Sequence, residues 1–210
     1  MLAENALTTL DRMKLMLGLS DIEDERTNEM ITLLINKASY WIEHQTGRHF
    51  GKRYYRQWYD ADGQQELVTL EYPIISVECI RENGREVDPS RYDYSQNGDV
   101  GVIYRDEGWL KAGYCKGLAY DIVAPKKAIE VCYTAGYVLP KDATKDNPQT
   151  LPADIEGLVW DIISQMYTNM QNGSQGLTSF SISDVTWTFD KSRQSQNSEW
   201  TQIINLYRMY

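Results

Sequence analysis

The hydrophobic period of this chain changes twice, and that change limits what it can fold into. Ile31, Leu34, Ile35, Ala38, Trp41 and Ile42 recur at helical spacing, and so do Leu158, Val159, Ile162, Ile163, Met166, Tyr167 and Met170 after Ile155. Between the two stripes, from Gly51 onward, the pattern runs at period two through β-forming residues. Each amphipathic helix carries an apolar stripe that must be covered, and each stripe is the natural cover for the other. The fold class expected is therefore α+β. It is a small helical bundle, two N-terminal helices plus a long helix in the C-terminal half, with an inserted antiparallel β unit, a C-terminal β arm and a short terminal helix.

Local signals set the boundaries. The first helix is expected from Thr8 or Thr9 to Leu17, with Thr8 placed to cap it and Gly18 as its left-handed stop. The second starts near Asp21 to Asp24, where Asp21, Glu23, Asp24 and Glu25 complement the positive helix end, and closes at Gly47. The β series follows: Tyr54 to Tyr59 and Glu66 to Tyr72 flank the turn Asp60-Ala61-Asp62-Gly63, Val77 to Arg81 and a partner near Val87 flank Asn83-Gly84, Tyr92 to Tyr94 and Val100 to Tyr104 flank Asn97-Gly98, and Ala128 to Thr134 closes it. Lys141 to Thr150 is polar and aperiodic, a linker or exposed loop. Pro152 suits the first turn of the next helix, and Gly157 is expected to mark close approach of a neighbour. Phe180 and Ile182 alternate on one phase and Val185, Trp187 and Phe189 on the other, so this strand bulges near Ser183-Asp184. After a polar spacer from Lys191 to Ser198, Trp200, Ile203, Ile204 and Tyr207 form a short amphipathic helix that needs somewhere to be buried. The expected parts are 1–50, the N-terminal helices; 51–140, the β insertion; 151–173, the bundle helix; and 174–210, the arm and terminal helix.

Composition and motifs exclude most catalytic classes. The chain has 210 residues, 42% apolar, with 21 basic against 30 acidic residues for a net charge of −9. That balance argues against affinity gained by neutralising phosphates over a broad face. No stretch approaches a membrane span, and Met1 to Asn5 lacks a basic region before an apolar run, so no secretory signal is expected and the default compartment is the cytoplasm. Cys79, Cys115 and Cys132, widely spaced, read as reduced core residues. His44 and His49 lie on either side of Gly47 and do not share a helical face, while Asp60 to Gly63 lacks the remaining ligands of a calcium loop. No GxSxG, GxxxxGK[ST] or GxGxxG occurs. No enzyme, cofactor or metal site is expected; the rival, a metal-dependent hydrolase or nuclease built on Asp60, Asp62, Asp88 and Asp93, has no spacing to support it. Arg48, Lys52, Arg53 and Arg56 interleave with Phe50, Tyr54, Tyr55 and Trp58, which suits either a single-strand nucleic-acid track or a strand whose cations face water or an acidic neighbour. The fifteen tyrosines and six tryptophans point to surfaces that meet other proteins.

The order of signals resembles a family. Leu7-Thr8-Thr9-Leu10-Asp11-Arg12-Met13-Lys14 with Leu17-Gly18, Ile42-Glu43-His44-Gln45-Thr46-Gly47-Arg48, Leu70-Glu71-Tyr72-Pro73-Ile74-Ile75-Ser76-Val77, Val131-Cys132-Tyr133-Thr134-Ala135-Gly136-Tyr137 and Leu151-Pro152-Ala153-Asp154-Ile155 are similar to stretches of the head-tail connector, or head-completion adaptor, proteins of long-tailed bacteriophages. The resemblance implies a structural virion protein at the head-tail interface, assembled in the host cytoplasm as a homo-oligomeric ring, typically a dodecamer, beneath the portal protein. Its other face would receive the next connector or tail protein, with DNA passing through without specific binding and no membrane partner. On that reading Phe180, Ile182, Val185, Trp187 and Phe189, with Trp200, Ile203, Ile204 and Tyr207, reach a neighbour, and Glu23, Asp24, Glu25 and Glu29 line the channel. A DNA-binding adaptor or another tail-completion protein is the closest alternative.

Overall fold

The computed structural model describes residues 1–98, 100–110, 127–171 and 194–208, with backbone alone for 194–198. The chain divides into two compact units, one made of residues 1–50 with 138–210 and one of residues 51–137. It is an α+β fold. No helix among the described residues is long and apolar enough to cross a membrane.

The first unit is helical. Helix α1 spans Leu10–Met16, α2 Glu25–Thr46, α3 Ala153–Gln171 and α4 Gln194–Tyr207. Thr9, not Thr8, caps α1, its hydroxyl accepting from the Arg12 amide, because Thr8 is drawn into a buried polar cluster. Asp24 caps α2 through Thr27, and Gly47 ends that helix at φ +70°, a conformation cheap only for glycine. Ile31, Leu34, Ile35, Ala38 and Ile42 of α2 are buried with Ile155, Leu158, Val159, Ile162, Ile163 and Met166 of α3, as the matched stripes require. Two expectations for α3 fail. Met170 is exposed, since the stripe ends a turn earlier, and a Cβ on Gly157 would meet nothing within 4 Å, so no neighbour closes on it. The 141–150 loop is irregular but tied at its ends: Thr150 accepts from the Val138 amide at 2.9 Å. The expected spacer before the terminal helix is shorter, because α4 already begins at Gln194.

The described residues of the second unit carry seven strands: β1 Arg53–Tyr59, β2 Glu66–Val68, β3 Ile74–Glu82, β4 Arg85–Glu86, β5 Asp93–Tyr94, β6 Val102–Tyr104 and β7 Ile129–Ala135. They form a four-stranded sheet in the order β1-β7-β3-β4 and a three-stranded sheet in the order β2-β6-β5, every pair antiparallel. Asn83-Gly84, both at positive φ, makes the β3–β4 hairpin, and Asn97 at φ 55° lies between β5 and β6. The Asp60 to Gly63 turn does not join a hairpin: β1 pairs with β7 and β2 with β6. Strand β7 is central, so nearly all its residues are buried. Ile74, Ile80, Ile129, Val131 and Tyr133 form one core with Leu67, Ile103 and Trp109.

Candidate interaction surfaces

The outer face of the four-stranded sheet is assembled by register. Alternation along β1 half-buries Tyr55, Gln57 and Tyr59 and exposes Tyr54, Arg56 and Trp58, with Tyr54 at 60% and Trp58 at 47%. On β7 these three face Thr134, Cys132 and Glu130, and on β3 the same β7 residues face Ser76, Cys79 and Arg81. The Arg56 guanidinium donates to Glu130 Oε1, and Arg81 reaches Glu130 Oε2 at 3.3 Å. Arg56 also lies 5.2 Å from the centre of the Trp58 ring. The Arg56 hydrogen bond, with help from Arg81, holds the Glu130 carboxyl below the usual range and raises the two guanidiniums. The result is an aromatic face whose central charges are spent on one another. Such a face suits a protein partner better than a run of phosphates.

The basic and aromatic run read from the sequence is therefore split. Arg48 and Phe50 belong to the helical unit, where Arg48 is buried with its guanidinium 5.4 Å from the Phe50 ring centre. Lys52 to Trp58 belong to the β unit.

In the helical unit, Glu23, Asp24, Glu25 and Glu29 are all exposed at or beside the start of α2. Asp24 is occupied as a cap, accepting from the Thr27 amide at 2.9 Å and hydroxyl at 2.7 Å, and these bonds lower its pKa. Trp200 and Ile204, expected to find cover on another molecule, are buried within this unit at 7% and 8% exposure. Ile203 is half-buried, and the Tyr207 hydroxyl donates to Asp154 Oδ1 at 2.9 Å while its ring meets Phe50 edge-on at 6.0 Å. Phe180, Ile182, Val185, Trp187 and Phe189 lie outside the described residues, as does Cys115. Sequence reasoning missed a stripe on the far side of α2, where Leu33 is 68% and Tyr40 66% exposed. Their i, i+7 spacing, opposite the buried stripe, was the available signal.

Among the described residues no three of His, Cys, Asp and Glu stand where they could hold a metal ion. The four scattered aspartates accept from backbone amides: Asp60 from distant Lys127, and within their own turns Asp62 from Gln64, Asp88 from Ser90 and Asp93 from Tyr94. His49 Nδ1 is 3.3 Å from Glu43 Oε2, while His44 is exposed in the last turn of α2.

Compared with known proteins, the chain matches a family model described as head completion protein over residues 6–210. The chain belongs to the head completion protein family. Its fold is similar to that of a chain in the neck of an empty gene transfer agent (GTA) particle computed with C6 symmetry, at 13% identity over 100% of this chain and 93% of that one, TM-score 0.55. It is similar also to a chain of the virion of a native gene transfer agent particle, at 14% identity over 100% and 93%, TM-score 0.54. At these identities the likeness is one of fold. No curated protein sequence matches.

Proposed function

We propose that this head completion protein is a structural head-tail connector of a virion, acting by assembly and not by catalysis. The observation that carries the reading is the family match across residues 6–210. The fold likeness to a chain of a gene transfer agent neck supports a position at the head-tail interface, and the C6 symmetry of that particle is consistent with a ring of six or twelve subunits. We take twelve as the working number. A head-to-tail contact repeated about an axis closes such a ring. The ring sits beneath the portal and offers its other face to the next connector or tail protein, with DNA sliding through.

Two exposed surfaces suit those contacts: the Tyr54, Arg56 and Trp58 face, and the Leu33 and Tyr40 stripe. The segment bearing Phe180, Ile182, Val185, Trp187 and Phe189, with Ile203 and the outer side of α4, reaches a neighbour or the portal, and Glu23, Asp24, Glu25 and Glu29 keep DNA from adhering to the channel. The DNA-binding alternative gains nothing from the structure, since Arg48 is buried and Arg56 is engaged by Glu130.

Electron microscopy of the protein with and without its portal tests the reading. A closed annulus on the portal is expected; a monomer that ignores the portal overturns it. Serine at all five of Phe180, Ile182, Val185, Trp187 and Phe189 tests the arm with α4 left in place. A folded chain that no longer joins portal-bearing heads is expected, and unchanged attachment rejects the arm's role.

A further inference from the structure

Cys79 on β3 and Cys132 on β7 are directly opposed in the antiparallel register. Opposed residues in such a ladder have Cα atoms roughly 4.5–5.5 Å apart and side chains on one face, inside the window of about 4.4–6.8 Å that a disulfide spans. Both thiols are free. Cys132 is buried and Cys79 half-buried, so Cys79 is the more accessible of the two to a reagent. Both lie on the outer sheet face that carries Tyr54, Arg56 and Trp58, so the pair is reached in the chain before that face is docked.

We infer that Cys79 and Cys132 form a dithiol site that closes to a cross-strand disulfide when the protein meets a small disulfide of the oxidised glutathione class. The Cys79 thiol loses its proton, and its thiolate attacks one sulfur of the reagent. The Cys79 S–glutathione bond forms as the reagent's S–S bond breaks, and one glutathione thiolate leaves. Cys132 then loses its proton and attacks the Cys79 sulfur, expelling the second glutathione. Two protein thiols are oxidised to one disulfide and one reagent disulfide is reduced to two thiols, so electrons balance and two protons pass to the departing thiolates or to solvent. Burial, with Cys132 adding to it, pushes the Cys79 thiol up to about 11. The pair therefore closes slowly at neutral pH and faster as pH rises. Once closed, the bond locks β3 to the central strand.

The test uses the full chain carrying Cys115→Ala, folded, incubated with oxidised glutathione and followed by intact mass and by alkylation of free thiols. The expected product has lost two hydrogens, retains no glutathione and resists alkylation, at a rate that climbs between pH 7 and pH 10. Cys132→Ser is expected to stop at a glutathione adduct on Cys79. Two alkylatable thiols remaining after prolonged exposure, or a persistent glutathione adduct on the parent chain, would each overturn the inference.

Discussion

The Thr8 hydroxyl donates to Glu156 Oε1 at 2.9 Å across 148 residues of sequence, and it accepts from the Trp160 indole at 2.9 Å. The same carboxylate receives Arg12 at 2.8 Å and Gln149 at 2.8 Å, so one nearly buried glutamate on α3 holds the residues leading into α1, α1 itself and the 138–152 connection. Removing it strands several donors at once. Glu156→Ala is expected to cost about 2–4 kcal/mol and Thr8→Val about 1–2 kcal/mol, while Arg12→Ala, whose side chain is half-exposed, costs less than about 1 kcal/mol. Urea denaturation of the three variants checks the order.

Helix α4 supplies a second contrast. Trp200→Ala empties a buried site and is expected to cost about 3–4 kcal/mol, whereas Leu206→Ala, on an exposed position of the same helix, stays within about 0.5 kcal/mol of the parent. If both variants melt alike, α4 does not cover its own unit. An assembly defect in Leu206→Ala without loss of stability would locate a contact with another subunit.

Backbone approach explains a third site. Gly136 has φ +110°, and a Cβ there would stand 2.6 Å from the Gly51 carbonyl oxygen, where Lys52 bonds back to Tyr137. Gly136→Ala is expected to lower stability by about 2–3 kcal/mol, read by thermal melting.

Two carboxylates push the pH dependence in opposite directions. Glu130 has a depressed pKa in the folded chain, so its contribution is present above its unfolded value near 4.5 and disappears as pH falls through the folded value. Asp161 is raised, by burial first and then by Glu199, so its ionisation weakens the fold as pH climbs through the folded value from 3.8 upward. Glu130→Gln should lower the melting temperature at pH 7 and flatten the acid limb, and Asp161→Asn should raise the melting temperature at pH 7. Melting curves from pH 3 to pH 8 separate them.

The acidic start of α2 mixes two roles that substitution can part. Asp24→Asn keeps an oxygen for the Thr27 amide and should leave helix stability close to the parent, whereas Asp24→Ala should lower it. Glu23→Lys, Glu25→Lys and Glu29→Lys together should spare the fold and slow DNA passage, followed as the rate of genome packaging or ejection. Unaltered DNA movement removes the channel role of these residues.

Much of the local structure was legible because its signals are short-range. Helix α2 begins after an acidic cap and ends on Gly47, β4 follows β3 across Asn83-Gly84, and the stripes of α2 and α3 cover one another, all as periodicity and turn chemistry require. What failed was non-local. β1 runs into a turn that looks like a hairpin, yet its partner is β7, far along the chain, because the most apolar strand takes the centre of the sheet. The terminal helix looked like a segment in need of a partner because Trp200 and Ile204 have no cover nearby in sequence. Their cover is the helical unit of the same chain.

The sequence alone determined the α+β composition of the fold, the caps and stops of its N-terminal helices and, through the order of its motifs, its resemblance to the connector family, since each depends on residues a few positions apart. The tertiary structure alone decided which side chains became neighbours. Register shifts at Ile75 and Glu78 reverse the alternation of β3, so Val77 faces Tyr133 while Cys79 turns outward to meet Cys132. A bulge displaces every side chain beyond it to the opposite face, and its place in a strand is set by the partner strand.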